Sequence, residues 1–250
     1  MKLFAIVLCL LSERYLVHAA SNKRELWFNH FFDRMNQILP QKLLSASSYL
    51  ALVLLAVVPS LIVCLLVCLL SSVLYGVIVF VINLVIFYLC LGPQNIFYPV
   101  KPLGDDLNSE LAAGNYFVIA NNQLFAVILW FIVAGAPGAL FYRLLYVARG
   151  HEYTAIAAKR VSGLLDWISA RVTLMFYLLV GNFQQGFDYY RKMFLSSPDN
   201  NEMLLSAGGL LAARTQEEQV VSLPYAQTMV EQALIVYLVF VALFTLAAWM

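Results

Sequence analysis

The chain has 250 residues, of which 62% are hydrophobic and 12% charged, with a formal net charge of +1 and a mean hydropathy of +0.81. An ordinary soluble domain carries about 25% charged and about 45–50% apolar residues, so a soluble fold of this length lacks the polar groups to cover itself. The composition excludes that class and specifies an all-α, polytopic membrane protein whose solvent is the lipid bilayer. The near-zero net charge leaves no global field to draw nucleic acid or acidic substrates.

Residues 1–20 open on MKLFAIVLCLL. This stretch reads either as the start of a secretory signal peptide, with Val17-His18-Ala19 as a cleavage site, or as a retained N-terminal helix embedded in the membrane or at its interface. Ser12-Glu13-Arg14 sets two opposite charges directly after the apolar run, which favours retention. Residues 21–48 interleave Leu26, Trp27, Phe28, Phe31, Phe32 and Met35 with Lys23, Arg24, Glu25, Asp33 and Arg34. That spacing predicts an amphipathic helix at the membrane interface, with a soluble lid as the competing reading.

A helix needs about 20 apolar residues to cross a hydrocarbon core of ~30 Å. Four stretches qualify as transmembrane helices: residues 49–70, 73–91, 124–148 and 233–250. Pro59 predicts a kink in the first, because it removes one helical hydrogen bond. Only Ser71-Ser72 parts the first two, which predicts a tight helical hairpin, and Gly92-Pro93 stops the second. The third contains Gly135-Ala136-Pro137-Gly138, a small-residue patch suited to a kink or to close helix approach.

The segment 99–123 reads as a solvated loop carrying Asp105, Asp106 and Glu110, too few ligand types for a metal site. Residues 149–232 form a polar helical region. Within it the apolar run 172–180 is too short to span, Ser197-Pro198-Asp199 marks a helix start, and Gln216-Glu217-Glu218 is a solvated face. The positive-inside rule favours the side holding Arg149, Lys159, Arg160, Arg171, Arg191, Lys192 and Arg214 as cytoplasmic. Cys9, Cys64, Cys68 and Cys90 all lie in apolar runs, as small packed residues rather than a disulfide or zinc framework.

Charges inside apolar helices are expensive unless paired or turned to a polar cavity. Glu13, Arg14, Arg143, Asp166 and Arg171 are therefore the candidate membrane-level charge network or ligand site. Glu13 is expected to pair with Arg143 or Arg171, and Asp166 with Arg14 or Arg171. Asp166 and Arg171 are five apart, about 140° around one helix, so partners from other elements are favoured. A structural clamp, or arginines snorkelling to headgroups, is the alternative role for the same set. The P-loop, HExxH, GxSxG and GxGxxG signatures are absent, the three histidines lack ligand spacing, and no residue pattern calls for a metal or cofactor.

Three blocks carry a family likeness: Leu124 to Phe131, Gly135 to Arg143 with its Ala-Pro-Gly-Ala core, and Leu165-Asp166-Trp167-Ile168-Ser169-Ala170-Arg171-Val172-Thr173. Together with the opening MKLFAIVLCLLSERY and its Glu-Arg pair, they resemble AmpE, a bacterial inner-membrane protein associated with β-lactamase regulation. The resemblance implies one membrane domain over residues 1–250, a role in signalling cell-wall state, and a functional link to the muropeptide amidase AmpD. AmpE is similar in turn to the CobD/CbiB membrane enzymes that attach an aminopropanol arm to the corrin of cobalamin. Those enzymes carry an Arg-Asp-Thr element and a Glu-Asn-x-x-Asp element before the shared span. Here the comparable stretch, Ala113 to Asn122, has neither acid of the second element, and the first is not found, which argues against that chemistry. A small transporter is a third reading, since Pro59 and Pro137 interrupt two spans, although no internal repeat supports it.

Overall fold

A computed structural model describes residues 2–15, 21–38, 47–71, 76–92, 97, 110–214 and 220–247. The described residues form ten helices of two turns or more and no strand. They are α1 (Lys2–Tyr15), α2 (Ser21–Ile38), α3 (Ser48–Leu69), α4 (Val77–Cys90), α5 (Glu110–Ala134), α6 (Ala136–Ala148), α7 (Ala155–Val180), α8 (Phe183–Met193), α9 (Asn201–Ala213) and α10 (Leu223–Ala247). Four of them, α3, α5, α7 and α10, are long and apolar enough to cross a membrane, and α4 is a shorter apolar helix. The protein is a multi-pass helical membrane protein.

The number of spans agrees with the sequence, but their membership changes. The stretch 124–148 is two helices, because Gly135 adopts φ 73° and separates α5 from α6. The expected loop 99–123 is helical from Glu110 onward, and α5 gains its spanning length from there. The short run 172–180 is the end of the 26-residue α7, whose apolar face was masked by Lys159, Arg160, Asp166 and Arg171. The last span begins at Leu223 rather than at residue 233. Several expectations fall outside the described residues: the cleavage site at 17–19, Ser72 of the hairpin turn, Pro93, Asp105, Asp106 and the acidic stretch 216–218.

The helices fall into two compact units, residues 1–95 with 127–165, and residues 96–126 with 166–250. In the first unit α6 is the hub, packed by α2, α3 and α4, while α1 lies on α4. Helix α2 turns Arg24, Phe28 and Phe32 inward at i, i+4, i+8, and both phenylalanines are fully buried. Leu26 and Trp27, expected on the apolar side, stay exposed with Asp33 and Arg34, while Arg24, expected on the charged side, is buried. Helix α3 contains a π-turn at Val53–Val57 immediately before Pro59. The widened turn absorbs the amide that proline lacks, so the helix continues through the residue expected to kink it.

In the second unit α9 is the hub. It packs on the first half of α5 and on α8, with α10 beside them. Glycines make this approach possible: a Cβ on Gly209 would enter the Phe117 ring, and one on Gly208 would enter Leu174. Gly181, in the α7–α8 turn, lies against the backbone carbonyl of Ala212, which the neighbouring Asn182 amide uses as acceptor at 2.6 Å.

This contact generates a contrast. Gly181→Ala forces a Cβ into immovable backbone and is expected to cost about 1–3 kcal/mol. Gly150→Ala meets nothing nearer than the Val147 carbonyl at 3.5 Å and should stay within about 0.5 kcal/mol of the parent. Heating the detergent-solubilised variants and measuring the soluble monodisperse fraction separates them; equal losses would refute the close approach.

Candidate functional site

The sequence-selected charges divide between the two units. Glu13, Arg14 and Arg143 belong to the first, Asp166 and Arg171 to the second.

In the first unit, Glu13 on α1 forms a buried ion pair with Arg24 of α2. Arg24 also donates from Nη1 to the Tyr88 carbonyl of α4 at 3.2 Å, and its guanidinium lies 4.6 Å from the centre of the Tyr88 ring. One arginine thus ties α1, α2 and α4 together. The sequence counts Arg24 among the charges of the amphipathic segment and offers no sign of its burial. Its position at i−4 from Phe28 is the signal that was available, since that places it on the buried face. Arg14 is exposed. Arg143 on α6 is only 1% exposed, with its guanidinium 5.9 Å from the Phe28 ring centre and 5.2 Å from that of Tyr146. Aromatic faces give a buried guanidinium a favourable electrostatic partner.

The break at Gly135 is the second feature of this unit. Lys2 Nζ donates to the Ile132 carbonyl at 3.0 Å, placing a cation at the C-terminal end of α5. Asn83 of α4 accepts from the Ala136 amide at 3.2 Å and donates to its own helix at the Val79 carbonyl. The loose ends of both half-helices are therefore met from α1 and α4. Only glycine takes the backbone conformation at 135 without strain.

In the second unit, Arg171 is 3% exposed and bonds no carboxylate among the described residues. Asp166 is not among its partners; the two positions stand about 140° apart around α7. Instead Nε donates to the Phe194 carbonyl at 2.6 Å, Nη1 to the Trp167 carbonyl and Asn201 Oδ1, and Nη2 to the Ser196 carbonyl at 3.0 Å. The guanidinium also stacks 4.0 Å above the Trp167 ring. The Phe194 and Ser196 carbonyls follow the C-terminal end of α8, where the helix dipole favours a cation. Burial pushes the Tyr190 hydroxyl of α8 above its usual range, and the neighbouring Arg171 offsets part of that rise. Asp166 is buried, and its main-chain carbonyl accepts from Ser169 Oγ at 3.3 Å.

Sequence reasoning missed the polar cluster at the π-turn Asn121–Phe125 of α5. Asn121, Asn122 and Gln123 are all buried. Asn121 donates to Asn122 Oδ1 at 3.0 Å and accepts from Thr173 of α7 at 2.8 Å. Three consecutive amides beside an apolar run were the available signal. They looked like a loop end because amides are favoured in turns. Chemically the cluster offers neutral hydrogen-bond donors and acceptors.

Two curated proteins share part of this chain. Both are described as "Cobalamin biosynthesis protein CobD". The one from Chromobacterium violaceum is 31% identical over 101 residues, covering 36% of this chain and 32% of the relative. The one from Stutzerimonas stutzeri is also 31% identical over 101 residues, covering 36% of this chain and 33% of the relative. The alignment thus spans about a third of the length of the curated relatives. No family model and no solved structure matches the chain. This membrane protein is therefore similar over part of its length to CobD proteins.

Four variants test the joints described above. Glu13→Gln and Arg24→Met singly strand a buried group and are each expected to cost about 3–5 kcal/mol, with much of the loss recovered in the double variant. A double-variant cycle on thermal stability measures this; strict additivity would mean that the pair contributes nothing as a unit. Arg171→Lys keeps the charge but loses the planar fork, and should cost about 2 kcal/mol and expose the turn at 193–197 to protease. Parental protease resistance would show that the carbonyl cage is dispensable.

Proposed function

We propose that the protein is an inner-membrane protein of the AmpE type, taking part in the regulation of β-lactamase induction and the response to cell-wall stress. It uses a membrane scaffold shared in part with CobD proteins. The carrying observation is the chemistry of the buried polar positions. Asn121 and Asn122 are neutral amides engaged with each other and with Thr173. Arg171 spends its donors on main-chain carbonyls of the turn after α8. Such groups hold helices in register and recognise amides or hydroxyls, whereas activating a substrate carboxylate calls for acids or bound cations. The link to muropeptide signalling and to AmpD rests on the AmpE resemblance of the sequence blocks.

A second reading, favoured by the two relatives, is membrane chemistry on a corrin. In that case the charged side chains would hold a substrate rather than helices. Fold-level similarity does not decide between them.

Deleting the gene and restoring it separates the readings. The regulatory reading expects altered inducible β-lactamase activity and β-lactam tolerance, rescued by the parent gene but not by Asp166→Asn. Unchanged induction under every inducer, together with a new growth requirement for supplied cobalamin, would sink it in favour of the corrin reading.

A further inference from the structure

Helix α10 is two-sided along its length. Its inner side, from Ala226 through Met229, Ala233 and Tyr237 to Val241, is buried, and the helix packs on α5 and α9. The opposite side follows a repeat of its own. Tyr225, Thr228, Gln232, Ile235, Val239, Ala242 and Leu246 all fall within about 50° of one line along the helix. Ala242 is half-buried and the other six are exposed. Steps of three and four residues in strict alternation make the heptad seam by which two helices wind about each other. Tyr225, Gln232, Val239 and Leu246 take its first core position, and Thr228, Ile235 and Ala242 its fourth.

One side chain of that seam is unmatched to hydrocarbon. Thr228 and Thr245 return their hydroxyls to their own helix, donating to the Pro224 and Val241 carbonyls. The Gln232 amide bonds no described residue and is exposed. It stands three residues, about 5 Å, from the middle of the span Leu223–Ala247, where lipid supplies neither donor nor acceptor. Leaving an amide unbonded there is costly. Glutamine carries both a donor and an acceptor, so two copies of it satisfy each other.

We propose that α10 pairs with α10 of a second copy of this chain through the heptad seam, Gln232 hydrogen-bonding to Gln232 of the partner subunit. Copies of a multi-pass protein share one orientation in the bilayer. Helices related by a twofold axis along the membrane normal therefore run parallel, and equal positions meet. A single polar residue at the first core position of an otherwise apolar seam fixes register and the number of helices, and amide side chains bond across helices within lipid. Glu231 stands about 70° off the centre of the stripe, so the pairing does not bring two carboxylates together. This interface depends on neither the regulatory nor the corrin reading.

The test uses the full chain with the exposed Cys64 and Cys68 replaced by Ala, reconstituted in phosphatidylethanolamine–phosphatidylglycerol vesicles and briefly oxidised with copper phenanthroline. Val239→Cys should give a disulfide-linked dimer on non-reducing gels. Phe240→Cys, also exposed but about 110° around the helix from the seam, should give little. In the Val239→Cys background, adding Gln232→Leu should halve the dimer yield at an about tenfold lower lipid-to-protein ratio than its parent needs. Gln232→Asn keeps the amide and should stay near the parent. Equal yields at 239 and 240 mean random collision and overturn the seam. Parental behaviour of Gln232→Leu on lipid dilution overturns the amide pairing. A monomer at every lipid ratio overturns self-association and leaves this face to a helix of another protein.

Discussion

Inside hydrocarbon a main-chain amide or carbonyl has no water to bond, so each interruption of a helix must be repaired by protein. Three repairs organise this molecule. The π-turn ahead of Pro59 lets α3 run on past a residue with no amide hydrogen. At Gly135 the chain does break, and Lys2 and Asn83 reach in from α1 and α4 to meet the exposed helix ends. At Asn121–Phe125 a second π-turn is accompanied by amide side chains bonded to one another and to Thr173. Helix positions follow from these repairs as much as from apolar packing, because the donor or acceptor has to come from a particular neighbour.

The same economy governs buried charge. Three arginines are almost fully buried, each held differently: Arg24 by a carboxylate and a carbonyl, Arg143 among aromatic rings, and Arg171 by carbonyls after a helix C-terminus. A guanidinium suits all three settings, because it is planar, weakly hydrated and always charged. These arginines join helices, and in the first unit Arg24 does so across three of them.

Several features were legible in the residues alone. An all-helical membrane architecture follows from 62% hydrophobic residues, because no other solvent accommodates that surface. The inward face of α2 follows from Phe28 and Phe32 at helical spacing, and the small-residue patch at 135–138 marks a real discontinuity. Of the five charges singled out in the sequence, Glu13, Arg143, Asp166 and Arg171 are buried and Arg14 is exposed.

Tertiary structure alone decided the rest. Partner choice depends on which helices meet, and sequence spacing within one helix says nothing of that; so Glu13 meets Arg24, and Arg171 meets the carbonyls after α8. Span boundaries shifted for a related reason. Polar residues such as Asn121 to Gln123 and Asp166 read as water-facing in a linear scan, yet a neighbouring helix satisfies or buries them and lets α5 and α7 continue. Hydropathy is a property of the chain and sets its solvent. Hydrogen-bond satisfaction is a property of neighbours, and it sets where helices stop, bend and join.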